Sequence, residues 1–283
     1  MVWQYSGKEG SVYIMKTPIV TVFIVAVLII GLGLAFYDYK TRGFHEKPIG
    51  MSRTQSEALK KARLVGEEKA NQQDYIGAIV EYKRAIQISP RDPYIHNDLG
   101  AAYYYLGLKA INPPISEDED LGYGIEVDAR YYTGTKEQIR EQALTKLKEA
   151  IDQTESGIIT VVATNLALSK EIETSTRSMG NYVHIEEDAK DDGSKDYWIT
   201  IIKGKAKDYF LNAEKEYLQA IDLLSVKDAS GHRYSGYSVA SRNLGTLYFR
   251  MGKKKDAIEN WQRALQLEPS DQELRKLVDT YRK

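Results

Sequence analysis

The chain has 283 residues, with 39 basic and 40 acidic side chains and a formal net charge of −1, which excludes the overall basic excess that nucleic-acid binding calls for. It contains no cysteine, excluding disulfides, thiolate metal sites, cysteine nucleophiles and a lipid anchor on an N-terminal cysteine. Its four histidines (His45, His96, His184 and His232) do not stand at ligand spacing, so no metal or cofactor is expected.

Residues 1–16 form a short N-terminal segment, and Thr17 to Phe36 then runs without a charge. Twenty helical residues rise about 30 Å, the thickness of a bilayer's hydrocarbon. The run lacks the polar face of a helix packed on a soluble core, so residues 17–37 are expected to anchor the chain in a membrane. It is longer than the apolar core of a signal peptide, although Gly33-Leu34-Ala35 offers a weak cleavage site. Met15-Lys16 would itself open a short basic segment before the run, with residues 1–14 then an extension of the gene. Lys40, Arg42, Lys47 and Arg53 after the run outnumber Lys8 and Lys16 before it, which favours a cytoplasmic body. The layout of one early span and a large body favours export. The expectation taken is a single-pass protein of a bacterial inner membrane with its body outside the cytoplasm. Residues 38–55 read as a juxtamembrane linker.

From residue 56 the pattern turns to helical spacing. Residues 59–92 carry Val65, Gly66, Ala78, Tyr82, Ala85 and Pro90, with Lys69 where an aromatic residue would fit the pattern. Leu99-Gly100 stands 34 residues after Val65-Gly66 and is followed by Tyr103. The stretch 111–136 interrupts this second unit, which is expected to resume at Ala143, Leu147 and Ala150 and close at residue 155. A third unit is expected over 156–225, its first helix marked by Ile159, Val162, Leu166 and Ile172 and its second by Ala213, Tyr217 and Ala220. Within it, residues 180–204 place two β-branched and aromatic runs around Asp192-Gly193, which predicts a β-hairpin. The last unit, 238–271, carries Leu244, Gly245, Tyr248, Ala257, Trp261, Ala264 and Pro269. A closing helix over 271–282 follows, with Ser270 and Glu273 spaced as a capping box and one apolar stripe of Leu274, Leu277, Val278 and Tyr281.

These positions resemble the tetratricopeptide-repeat family, whose 34-residue helix–turn–helix unit sets small residues against large ones. The resemblance implies an all-α solenoid of helical hairpins carrying two loop or β-hairpin insertions behind the N-terminal membrane helix. It implies that the first helices of successive units line a groove that holds a peptide or protein. On that register the groove positions are Arg63, Asn97, Tyr104, Tyr105, Arg242, Thr246, Phe249 and Arg250. The subfamily that clamps chaperone C-termini wants Lys and Asn where this chain has Arg63 and Glu67, and Glu67 would repel a carboxylate.

The acidic runs Ser116–Asp120 and Glu186–Asp192 do not match a calcium loop. Counted from Asp188, the third position is not acidic and the twelfth is Ile199. Neither a phosphate-cradling glycine loop nor a nucleophile elbow is present, so the chain is not expected to be an enzyme. The function expected is a membrane-anchored scaffold for a protein partner, an assembly or chaperone factor. The alternative is a component that self-associates into a membrane complex.

Overall fold

The computed structural model describes residues 51–111, 123–124, 133–163, 166–189, 195–225 and 236–282. The expected membrane span, the segment before it and most of the linker lie outside the described residues. So do the acidic run Ser116–Asp120, the Tyr131-Tyr132 pair and the Asp192-Gly193 turn. Among the described residues no helix is long and apolar enough to cross a membrane.

The described residues are mostly helical. The chain opens with α1 (Arg53–Asn71), α2 (Tyr75–Ile88) and α3 (Pro93–Lys109). There follow β1 (Tyr123–Gly124), α4 (Lys136–Gln153), β2 (Gly157–Ala163), α5 (Leu166–Ser178), β3 (Tyr182–Ala189) and β4 (Lys195–Lys203). It closes with α6 (Gly204–Ser225), α7 (Gly236–Arg250), α8 (Lys254–Leu267) and α9 (Gln272–Tyr281).

Local chemistry explains the first elements. Ser52 and Gln55 form a reciprocal capping box at the start of α1. Asp74 accepts from the Gly77 N–H at 2.9 Å and so starts α2. Asp92 caps α3 ahead of Pro93, whose missing N–H costs nothing in a first turn. α1 and α2 pack as an antiparallel hairpin through buried Ala62, Ala78 and Ala85. A Cβ on Gly66 would stand 2.7 Å from the Tyr82 ring, so glycine permits this approach. α7 and α8 repeat the arrangement with Ala257 and Ala264 buried and a Gly245 Cβ only 2.5 Å from Trp261.

The second unit departs from the expected pairing. α3 packs against α6, not α4. Gly100 faces Tyr217, with a Cβ distance of 2.8 Å, and Gly107 faces Phe210 at 2.7 Å. Sixteen residues separate Gly66 from Tyr82 and Gly245 from Trp261, whereas 117 separate Gly100 from Tyr217. The difference of 101 residues is a single insertion splitting one hairpin. Ala213, Tyr217 and Ala220 therefore complete the second unit, and the two expected interrupted repeats, 93–155 and 156–225, become one. Among the described residues there are three hairpins and a closing helix.

Ala143 and Leu147, expected to close the second unit, pack with Ile151 against a sheet instead. That sheet has the order β1-β2-β4-β3, with β1 parallel to β2 and the other pairs antiparallel. The β-hairpin expected within 180–204 is present as β3 and β4. Ile159, expected on a helix, lies on β2 opposite Ile201. Ile158 joins the core of the helical hairpins, while Ile159 joins the core beneath α4. A strand covered on both faces reads as a continuous apolar run, without the alternation that would have identified it.

The insertion lies back on the third hairpin. Ile202 of β4 is buried with Phe210, Leu247 and Met251. Gly252, in the α7–α8 turn, has φ +78°, and a Cβ there would be 2.0 Å from the Thr200 hydroxyl. The Glu186 carboxylate accepts from the Lys255 N–H at 2.8 Å, so β3 caps the first turn of α8. α9 closes the array through Leu274 and Val278 on Trp261. Its cap is Asp271, accepting from the Leu274 N–H at 2.9 Å. The expected cap, Ser270, is exposed one residue earlier.

Candidate functional site

The first helices of the three units, α1, α3 and α7, carry the residues that the sequence marks as a groove. Arg63 on α1 pairs with Asp92 at 3.6 Å, and Arg242 on α7 pairs with Asp271 at 3.0 Å. Both pairs span 29 residues and both are largely covered. Each carboxylate does two jobs with two oxygens. Asp92 Oδ1 accepts from the N–H groups of Tyr94 and Ile95, and Asp271 Oδ1 accepts from that of Leu274. The Oδ2 atoms hold the guanidinium groups. Each arginine thus ties a first helix to the cap of the next element in the array. The expectation that Arg63 and Arg242 grip a partner's carboxylates meets this internal use.

In the second unit the equivalent position is Asn97. Its side-chain carbonyl accepts from Asn243 Nδ2 at 3.0 Å, joining α3 to α7 across the face. Tyr105 stacks on Tyr75 with ring centroids 5.3 Å apart, and Tyr104 meets Tyr105 edge-on at 5.4 Å. Tyr104 also lies 6.0 Å from the Phe210 ring. Phe249 contacts Trp261 and Tyr281 at 5.6 and 4.4 Å, linking the third unit to the closing helix. Thr246 donates its hydroxyl to the Arg242 carbonyl at 3.1 Å. Arg250 is buried. The other seven positions are half-buried, so all eight belong to the packed inner part of the face.

Sequence reasoning missed Asp92 and Asp271, although both stand at the last position of a 34-residue unit, a regularity visible in the chain. It also missed Asn243, His96 and Glu216. Asp98 was missed as well. It lies on α3 beside Arg63, Glu67 and Asp92. Burial pushes its carboxyl up to about 7, against the pull of Arg63 and with Asp92 and Glu67 adding to the rise. Because the folded state keeps a proton that the unfolded chain has lost, stability from this group is present at acid pH. It is lost as the pH climbs from about 4 to 7. Asp98→Asn is expected to stabilise the fold at pH 8 by roughly 2 kcal/mol, after allowance for partial solvent screening. Denaturant midpoints at pH 5 and 8 check this: the wild type should lose more than the variant between them.

The comparisons with known proteins follow this geometry. A family model described as "TPR repeat" matches residues 66–107, and one described as "Tetratricopeptide repeat" matches residues 239–271. The chain carries tetratricopeptide repeats. The first match ends at Gly107, just before the insertion opens, and the second covers the unbroken third hairpin through the Asp271 cap. No curated protein matches the chain.

Solved structures similar to this tetratricopeptide-repeat chain include the first repeat domain of Spaghetti (RPAP3) bound to an HSP90 peptide. It is 13% identical, with 83% of this chain and 95% of that one covered and a TM-score of 0.40. The N-terminal domain of stress-induced protein-1 from C. elegans is 12% identical, with 82% and 100% covered and a TM-score of 0.40. The pilF protein of Pseudomonas aeruginosa is 14% identical, with 81% and 72% covered and a TM-score of 0.26. Superpositions this loose add nothing to the fold, which rests on the hairpins and the two family matches.

Proposed function

We propose that the chain is a membrane-anchored scaffold that holds a peptide or protein partner on the shared face of α1, α3 and α7. The observation that carries this reading is the adjacency of α3 and α7, stitched by Asn97 and Asn243, with α1 tied to the cap of α3 through Arg63 and Asp92. Packed helices present side chains at fixed spacing, so little ordering cost remains to oppose association. With Arg63 and Arg242 engaged internally, recognition falls to amide, hydroxyl and aromatic groups, chiefly Asn97, Thr246, Tyr104 and Tyr105. Asn97 gives one amide hydrogen to the Asp98 carboxylate and has a second for a partner's backbone, and half-buried tyrosines supply stiff contact area. The uncharged run from Thr17 to Phe36 is the reason for placing the scaffold on a membrane, with the body on the extracytoplasmic side of a bacterial inner membrane. An assembly or chaperone role is the class of work such an anchored scaffold performs.

The test is cross-linking and co-purification of the detergent-solubilised chain, wild type against Asn97→Ala/Tyr104→Ala/Thr246→Ala. The variant is expected to lose its partner by tenfold or more, about 1.4 kcal/mol. An unchanged partner in a variant that folds normally removes the face from the mechanism. Protease added to intact spheroplasts should digest the body; full protection would reverse the assigned side.

A further inference from the structure

His96 on α3 lies between two hydrogen-bond partners that come from different parts of the array. Its Nδ1 is 2.6 Å from Glu216 Oε2 on α6, and its Nε2 is 3.0 Å from the carbonyl oxygen of Pro90, in the turn that joins the first hairpin to the second. A carbonyl only accepts, so Nε2 must carry a hydrogen. A carboxylate only accepts as well, so Nδ1 must carry one too, unless the carboxyl itself supplies the shared proton. Either arrangement leaves the pair holding the same number of protons, one more than neutral imidazole beside ionised carboxylate. The side chains are only 10% and 13% exposed, so water is poorly placed to take over a lost bond.

We propose that His96 and Glu216 form a proton-operated staple, fixing the split second hairpin to the end of the first and releasing it when the pair loses its proton. The location gives the device its purpose. α3 and α6 have no short turn between them, and they meet through close packing such as that of Gly100 and Gly107 on Tyr217 and Phe210. The staple sits in the first turns of α3, next to the Asp92 cap that Arg63 holds from α1. Its proton therefore sets how firmly the first and second units are joined, whatever the shared face binds.

The charged groups around His96 agree with this. Burial opposes the imidazolium, but the bonds to Glu216 and Pro90 and the nearby Glu216 and Asp92 charges outweigh it, so the His96 pKa is raised. A raised histidine pKa gives stability that is whole below the ordinary value of about 6.5 and is lost as pH rises through the folded value.

The experiment uses the full chain in detergent with ¹⁵N-labelled histidine, His96 being assigned by a His96→Gln variant. Imidazole NMR from pH 5 to 9 is expected to show His96 titrating above the ordinary midpoint. Amide exchange in the first turns of α3 and around Glu216 in α6, corrected for intrinsic base catalysis, should quicken through that same midpoint. The acceleration expected is about tenfold for each unit by which the midpoint exceeds the ordinary one. Glu216→Gln should abolish the pH dependence. A His96 midpoint at or below the ordinary value overturns the staple, and so does titration without any change in exchange. The wild-type amide-exchange profile, which needs no variant, decides this even where a variant fails to fold.

Discussion

Tyr217→Ala is expected to destabilise the repeat array by about 3–5 kcal/mol, the usual cost of emptying a large aromatic site in a core. Tyr217 is 2% exposed and its ring lies where a Cβ on Gly100 would be 2.8 Å away, so no neighbouring atom can move in cheaply to fill the void. The informative comparison is Leu147→Ala. Leu147 is equally buried, but its partners are Ile159, Val183 and the inward face of β4. Both substitutions lower stability, yet they loosen different helices. Amide exchange in the Tyr217 variant should rise along α3 and α6. In the Leu147 variant it should rise in α4 and the sheet and leave α3 protected. The reverse result would restore α4 as the partner of α3 and dissolve the split hairpin.

The second large effect is expected at Gly245. A Cβ there would meet Trp261 Cδ1 at 2.5 Å, Nε1 at 2.6 Å and the Ala257 carbonyl oxygen at 3.0 Å. Alanine normally favours a helix over glycine by about 1 kcal/mol. Here the gain is overwhelmed, because a wedged indole and a backbone carbonyl must both retreat. Gly245→Ala should cost a net 2 kcal/mol or so, and Gly245→Val more, by overpacking. Trp261→Phe removes the crowding edge together with an indole N–H that is buried without a hydrogen-bond partner. Combining Trp261→Phe with Gly245→Ala should therefore cost less than the sum of the two separate changes, measured as denaturant midpoints in a double-mutant cycle. Strict additivity would mean that the two residues do not press on each other.

The small-against-large pairs that make these predictions possible are the part of the fold most legible in the sequence. Gly66 with Tyr82 and Gly245 with Trp261 sit at the same separation, and each defines a hairpin closed by a short turn. Gly100 offered no such guide. Ala143, Leu147 and Ala150 repeat the spacing of Ala213, Tyr217 and Ala220, and they come first in the chain. Spacing alone cannot choose between two equally spaced helices; the ring of Tyr217, matching Tyr82 and Trp261 in kind, was the discriminating mark. β2 was misread for a related reason, since Ile158 and Ile159 are both buried, in different cores, and leave no polar alternation. At the candidate site, register located the shared face, but the partners of Arg63 and Arg242 are contacts between successive elements that periodicity does not display.

Splitting one hairpin with 101 extra residues also fixes an order of events on the ribosome. α3 leaves the exit tunnel long before α6 exists. At about 5–20 residues per second, roughly 5–20 s pass in which its glycine-lined flank has no mate. The intervening sheet and its two helices, α4 and α5, emerge in that interval, and only after them can α6 return to complete the unit. The nascent chain thus carries an unfinished, adhesive middle, bounded upstream by a hairpin that is already whole.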